Sequence, residues 1–201
     1  MLNSFFGKGK TVGDEMAKEL AEQMLRQPPT TFVDLVMTKE GIKTGAEILR
    51  KQRDEDLEKL VKDMGLVYEW KGDHYLIARS KQDFDKQGSS SVSRGRWFGI
   101  PECCIQNYQG KDKEELRKRL SLEELKLLER GEGVPDEFYL GSMGYIPCSM
   151  RCKSTLERGQ KARAALDRID PRLWQKFRNF HIRRRIAEYG GEIKEWQKGG
   201  K

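Results

Sequence analysis

The stretch Leu66–Arg79, LVYEWKGDHYLIAR, decides how the first half of the chain is built. Two short runs rich in branched and aromatic residues flank Gly72-Asp73, a dipeptide suited to a tight turn, and that pattern predicts a β-hairpin. Upstream, Met16, Leu20, Met24 and Leu25 recur at helical spacing, which predicts a helix over residues 12–26 that stops before Pro28-Pro29. Thr44 followed by Glu47 has the form of a capping box, opening a second helix that runs to about Met64 and is stopped by Gly65.

Downstream of the hairpin, residues 88–95, GSSSVSRG, read as a polar loop bounded by glycines. A division there gives an N-terminal region, 1–87, of helices and the hairpin, and a region 88–201 that is helical. The second region should hold a short helix from Pro101 to about Tyr108 and a helix over LEELKLLER opened by Ser121 and Glu124. A further helix runs from near Ser149 to about Ile169, and Asp170-Pro171 supply the cap and first-turn proline of another ending at Gly190-Gly191. The expected fold class is α+β, mostly α-helical, with one β-hairpin in the N-terminal half and a helical C-terminal half.

With 201 residues the chain can bury a core without crosslinks. It shows no run of eighteen apolar residues and no leader-like start, so a soluble cytoplasmic protein without a membrane partner is expected. Charged residues make up 35% of the chain, with Glu, Lys and Arg prevailing over Asn and Gln. Thermophiles favour that balance, and their cytosol tolerates disulfides.

All four cysteines fall in two short stretches, RWFGIPECC ending at Cys104 and YIPCSMRC ending at Cys152. Each follows an Ile-Pro and sits at an expected helix start, where the dipole and nearby Arg94, Arg96 and Arg151 would favour thiolates. Cys148 and Cys152, four apart, share a helix face, whereas Cys103 and Cys104 point about 100° apart on a regular helix. Both can therefore ligate one metal only if Cys103 lies at an irregular cap. Paired C-x-x-C zinc spacing is absent, and the C-x-x-x-C-x-x-C run of iron–sulfur proteins is interrupted by Thr155. Three readings stay open: a zinc or iron–sulfur site made by Cys103, Cys104, Cys148 and Cys152, one or two disulfides between the stretches, or buried free thiols. A redox-active thiol or metal-dependent enzyme centred on these cysteines is the alternative to a structural role.

The charge is uneven. Residues 151–201 hold 15 Lys and Arg against 6 Asp and Glu, within a net charge of +7 for the whole chain. Leu173, Phe177 and Phe180, beside Trp174, form an amphipathic stripe of core type. Arg172, Lys176, Arg178, Arg183, Arg184 and Arg185 around it are candidate phosphate contacts for RNA or DNA. GKGKT at residues 7–11 lacks the first glycine and the preceding strand of a phosphate loop. His74 and His181, the only histidines, have no nucleophile elbow or metal-binding histidine pair beside them, which argues against hydrolase chemistry by those routes.

GIPECCIQNY and IPCSMRCKSTLERG together resemble an uncharacterised, largely archaeal family of unknown function with a Gly-x-Pro-x-Cys-Cys segment and a later Pro-Cys-Ser-x-x-Cys-x-Ser segment. The matching positions are Gly99, Pro101, Cys103, Cys104, Pro147, Cys148, Ser149, Cys152 and Ser154. Tyr145 stands where relatives of that family often have a histidine. The resemblance implies that the four cysteines act as one site, and it begins at about residue 94.

Overall fold

The computed structural model describes residues 12–183, with side chains from residue 15 onward. The hairpin forms as expected. Strands β2 (Val67–Trp70) and β3 (His74–Ala78) pair antiparallel, with Val67 opposite Ala78 and Trp70 opposite Tyr75. Gly72 turns the chain with φ 81°.

The expected helix from Thr44 to Met64 is not continuous. Gly45–Leu49 is a third strand, β1, laid antiparallel along the free edge of β3 in the order β1-β3-β2. The cap at Thr44 fails because its backbone N–H bonds the Trp97 carbonyl at 3.0 Å and the Glu47 carboxylate pairs with Arg94. Ala46 and Ile48 bury one face of the strand, so pairing with β3 outweighs the local helix signal. The helix starts later, as Glu55–Asp63, with Asp54 as cap accepting from Leu57 N at 3.0 Å.

We number the helices α1 (Val12–Arg26), α2 (Pro29–Lys39), α3 (Glu55–Asp63), α4 (Gln82–Asp85), α5 (Ser91–Trp97), α6 (Glu102–Tyr108), α7 (Lys113–Glu129), α8 (Asp136–Gly141), α9 (Lys153–Ile169) and α10 (171–183). The expected loop at 88–95 is largely α5, opened by a reciprocal Ser90–Ser93 cap at 3.0 and 3.1 Å. Ser121 does not open a helix, because Asp112 caps α7 two turns earlier by accepting from Glu114 N and Glu115 N. Asp170 caps α10 as expected, accepting from Arg172 N at 2.8 Å. Among the described residues no helix is long and apolar enough to cross a membrane.

Two apolar clusters organise these elements. The larger joins α1–α3 and the sheet to Leu140, Leu166, Leu173 and Phe177, and so draws on both sides of residue 87. The smaller contains Leu120, Leu127, Phe138 and Met150 together with Cys104 and Cys152. Two close approaches set the path between them. Gly99 has φ 65°, and a Cβ there would meet the Ile42 carbonyl oxygen at 2.3 Å. Where α8 crosses α9, a Cβ on Gly141 would meet Thr155 O at 1.9 Å, and one on Gly159 would meet Glu137 O at 1.7 Å.

Glu58 ties α3 to the sheet. Its buried carboxylate accepts both Arg53 nitrogens at 2.8 Å, Tyr75 Oη at 2.9 Å and the Tyr68 hydroxyl. The Arg53 bond first, then the tyrosine bonds, hold its pKa down to about 2 against an ordinary 4.5. A carboxylate with a depressed folded pKa stabilises fully above its unfolded value, and that stability is lost as pH falls from about 4.5 towards about 2. Glu58→Gln should therefore cost about 2 kcal/mol at pH 7 and flatten the acid limb of a chemical-denaturation series between those pH values. Gly159→Ala should cost at least ~2 kcal/mol in the same measurement, since both obstructing atoms are backbone.

Candidate metal centre

Cys103 and Cys104 occupy the first turn of α6, after Pro101 at its cap. Cys103 is thus inside the helix and not at an irregular cap, yet its sulfur leans to 3.9 Å from that of Cys104. Cys148 and Cys152 do not share a helix face either. They bracket a turn, closed by Cys152 N donating to Ser149 O at 3.2 Å, and Cys152 caps α9. Arg119 on α7 holds this turn by donating to Cys148 O at 3.0 Å.

The Sγ atom of Cys152 lies 3.7 Å from those of both Cys103 and Cys104, and all four sulfurs fall within 4.8 Å of one another. The disulfide reading, one of the three left open, does not hold. The shortest of these separations far exceeds the ~2.05 Å of an S–S bond, and all four cysteines are free. A set of four sulfurs this close can hold a metal ion. Cys104 and Cys152 are buried, Cys148 is half-buried and Cys103 is exposed.

Burial governs the thiols more than the helix starts do. It pushes Cys104 well above the ordinary thiol range and Cys148 up to about 11. At Cys152 burial also acts upward, but hydrogen bonds from the Thr155 side chain and backbone, and from neighbouring thiols, outweigh it and bring the pKa below the ordinary value. Arg94, Arg96 and Arg151, expected to favour thiolates, are instead taken by Glu47, Glu102 and Glu132.

A shell of polar groups behind the sulfurs was not legible as a site. Cys148 N donates to Cys104 Sγ at 3.3 Å, and Thr155 Oγ1 lies 3.7 Å from the same sulfur and 2.9 Å from Tyr145 Oη. A hydroxyl has one proton to donate. With Cys104 as thiolate, the chain runs from Tyr145 Oη to Thr155 Oγ1 to sulfur. Thr155, which breaks the iron–sulfur spacing in the sequence, is one turn beyond Cys152 and therefore faces the cysteines. Tyr145 is linked to Cys104 through Thr155.

Of the candidate phosphate-contacting residues, Arg172 pairs with Asp170 and Glu22, and Arg178 with Asp136. Lys176 donates to the carbonyls of Leu25 and Gln27 and lies 5.9 Å over the Phe32 ring. Arg183 is exposed at the end of the described part of α10, and Arg184 and Arg185 lie outside the described residues. Leu173 and Phe177 are core residues as expected, while Phe180 is 38% exposed. His74 bonds Asp73, and His181 stacks on Tyr139 with ring centroids 4.5 Å apart.

Comparison with curated proteins and with solved structures found no match. A family profile does match residues 42–173, reaching well upstream of the cysteine motif to take in the whole sheet as well as all four cysteines. On that span the chain belongs to the family described as "Protein of unknown function (DUF483)".

Proposed function

We propose that Cys103, Cys104, Cys148 and Cys152 bind one divalent metal ion, zinc by the softness of its donors, in a structural centre that fastens α6 to the start of α9. The supporting observation is the sulfur geometry. Zinc–sulfur bonds of about 2.3 Å at tetrahedral angles require sulfurs about 3.8 Å apart, and three of the separations are 3.7, 3.7 and 3.9 Å. An iron–sulfur cluster spreads its cysteines over several irons and calls for wider spacing. Four protein ligands leave no open position for substrate, which favours a structural over a catalytic ion. A redox reading would have to rest on Cys152, whose pKa is lowered, since burial makes the metal-free Cys104 and Cys148 poor sources of thiolate.

The basic C-terminal segment supports a second reading, RNA or DNA binding, on its own observation of 15 basic against 6 acidic residues over 151–201. Since Arg172, Lys176 and Arg178 are engaged within the chain, phosphate contact falls to Arg183, Arg184 and Arg185. Replacing those three with Ala should lower the slope of log affinity against log salt by roughly one unit per lost contact, without shifting the melting temperature. Wild-type protein that binds no single- or double-stranded RNA or DNA in a salt-dependent way rules this reading out.

For the metal centre, elemental analysis of protein purified anaerobically should find one zinc per chain. Iron with acid-labile sulfide would replace zinc by a cluster, and four titratable thiols with no metal affinity would remove the centre. Free zinc at about 1,000 times Kd should stabilise the metal-free protein by about 4 kcal/mol. Cys104→Ser should abolish that zinc-dependent gain. Ligation requires thiolates, so zinc affinity should rise at least tenfold per unit between pH 6 and 8, with proton release seen as buffer-dependent binding enthalpy.

A further inference from the structure

Arg158 is a buried cation with no carboxylate in contact with it. It lies on α9, one and a half turns beyond Cys152, and only 6% of it is exposed. Its guanidinium donates to the Gly141 carbonyl and, at 3.1 Å, to the Phe98 carbonyl, and it sits 5.3 Å over the ring of Tyr145. Its buried Nε finds no acceptor. Asp34 acts on it electrostatically but is ion-paired with Lys43. Among the described residues no ion pair joins Arg158 to a carboxylate. Burying a charge without a contacting partner costs several kcal/mol, so a further anion nearby would stabilise it.

The groups that can supply one are the sulfurs. Four thiolates around a divalent ion carry a net charge of −2. Lys43, the other buried cation acting on Arg158, is already paired with Asp34. The Tyr145 ring that covers the guanidinium is joined through its hydroxyl and Thr155 to Cys104, by steps of 2.9 and 3.7 Å. After burial, Tyr145 and Asp34 act most strongly on Arg158, and Cys104 also acts on it electrostatically. The bonds to Gly141 and Phe98 fix the guanidinium in place, so the charge needs no rearrangement when the ion enters.

We infer that Arg158 is the built-in counter-cation of the tetrathiolate centre, a positioning residue whose charge favours the divalent metal complex over the protonated thiols. This rests on the metal reading above and adds to it the source of charge balance. The rival role is that of a strut, in which only its hydrogen bonds between α9, α8 and the Phe98 turn matter.

Charge and hydrogen bonding are separated by Arg158→Gln, a neutral donor, and Arg158→Lys, a cation with fewer donors. Zinc Kd is measured by competition with a chromophoric chelator, alongside the melting temperature of each metal-free protein and the cobalt(II) spectrum as a check on tetrahedral thiolate ligation. The glutamine variant should bind zinc at least tenfold more weakly while its metal-free melting temperature is unchanged or higher. The lysine variant should stay within about threefold of wild type. Equal zinc affinity in wild type and glutamine variant overturns the inference, as does a lysine variant that loses as much affinity as glutamine. A glutamine variant that fails to fold even with zinc overturns it in favour of the strut. Wild-type protein that binds no zinc removes the metal centre itself, a different result from any of these.

Discussion

Where α8 crosses α9 the two backbones touch at Gly141 and Gly159, with no room for a single methyl group between them. The segment that leaves α8 and returns to α9 is only eleven residues long, 142–152, and carries Cys148 and Cys152. With both ends held by the crossing, that segment has little freedom in where it delivers its two sulfurs. Arg158, next to Gly159, ties the same crossing to the Phe98 turn that precedes α6. The two cysteine stretches, 44 residues apart in sequence, are thus located by a contact that contains no sulfur.

Cys104 and Cys152 sit inside a small apolar cluster with Cys148 packed against it, while Cys103 is exposed. Burial there opposes thiolate formation, while Cys148 N and Thr155 Oγ1 are placed to meet the charge on Cys104 once it forms. Cys104 and Cys148 then have little tendency to ionise alone and a stronger one beside a cation, while Cys152 is held below the ordinary thiol pKa. Three sulfur separations already match those around a single tetrahedral ion, so binding one would call for little movement.

The hairpin was legible because its signal is local: two runs rich in branched and aromatic residues and a turn between them. Strand β1 was not, since what makes Gly45–Leu49 a strand is the open edge of β3, which lies some thirty residues downstream, and a capping pattern at Thr44 pointed the other way. Helix α5 was missed for a smaller reason, a cap built from two serines where glutamate is the usual partner. The cysteines could be grouped from sequence, but their geometry could not be read. Regular-helix angles suggested that Cys103 and Cys104 point apart, yet their sulfurs come to 3.9 Å. Thr155 looked like an interruption, and no sequence pattern singled out Arg158. Both roles depend on what α8 and the Phe98 turn place against α9, which no spacing along the chain encodes.

Gly99, held at φ 65° against the Ile42 carbonyl, bears on how far the cysteine-bearing part can be moved. The stretch from Gly99 to Cys104 looks like a portable ligand motif, yet its glycine is fitted to a residue more than fifty positions away. Transplanting the two cysteine stretches into another scaffold would carry every sulfur and leave behind the surface that aims α6. The smallest transferable unit therefore starts at Ile42, which is also where the family match begins.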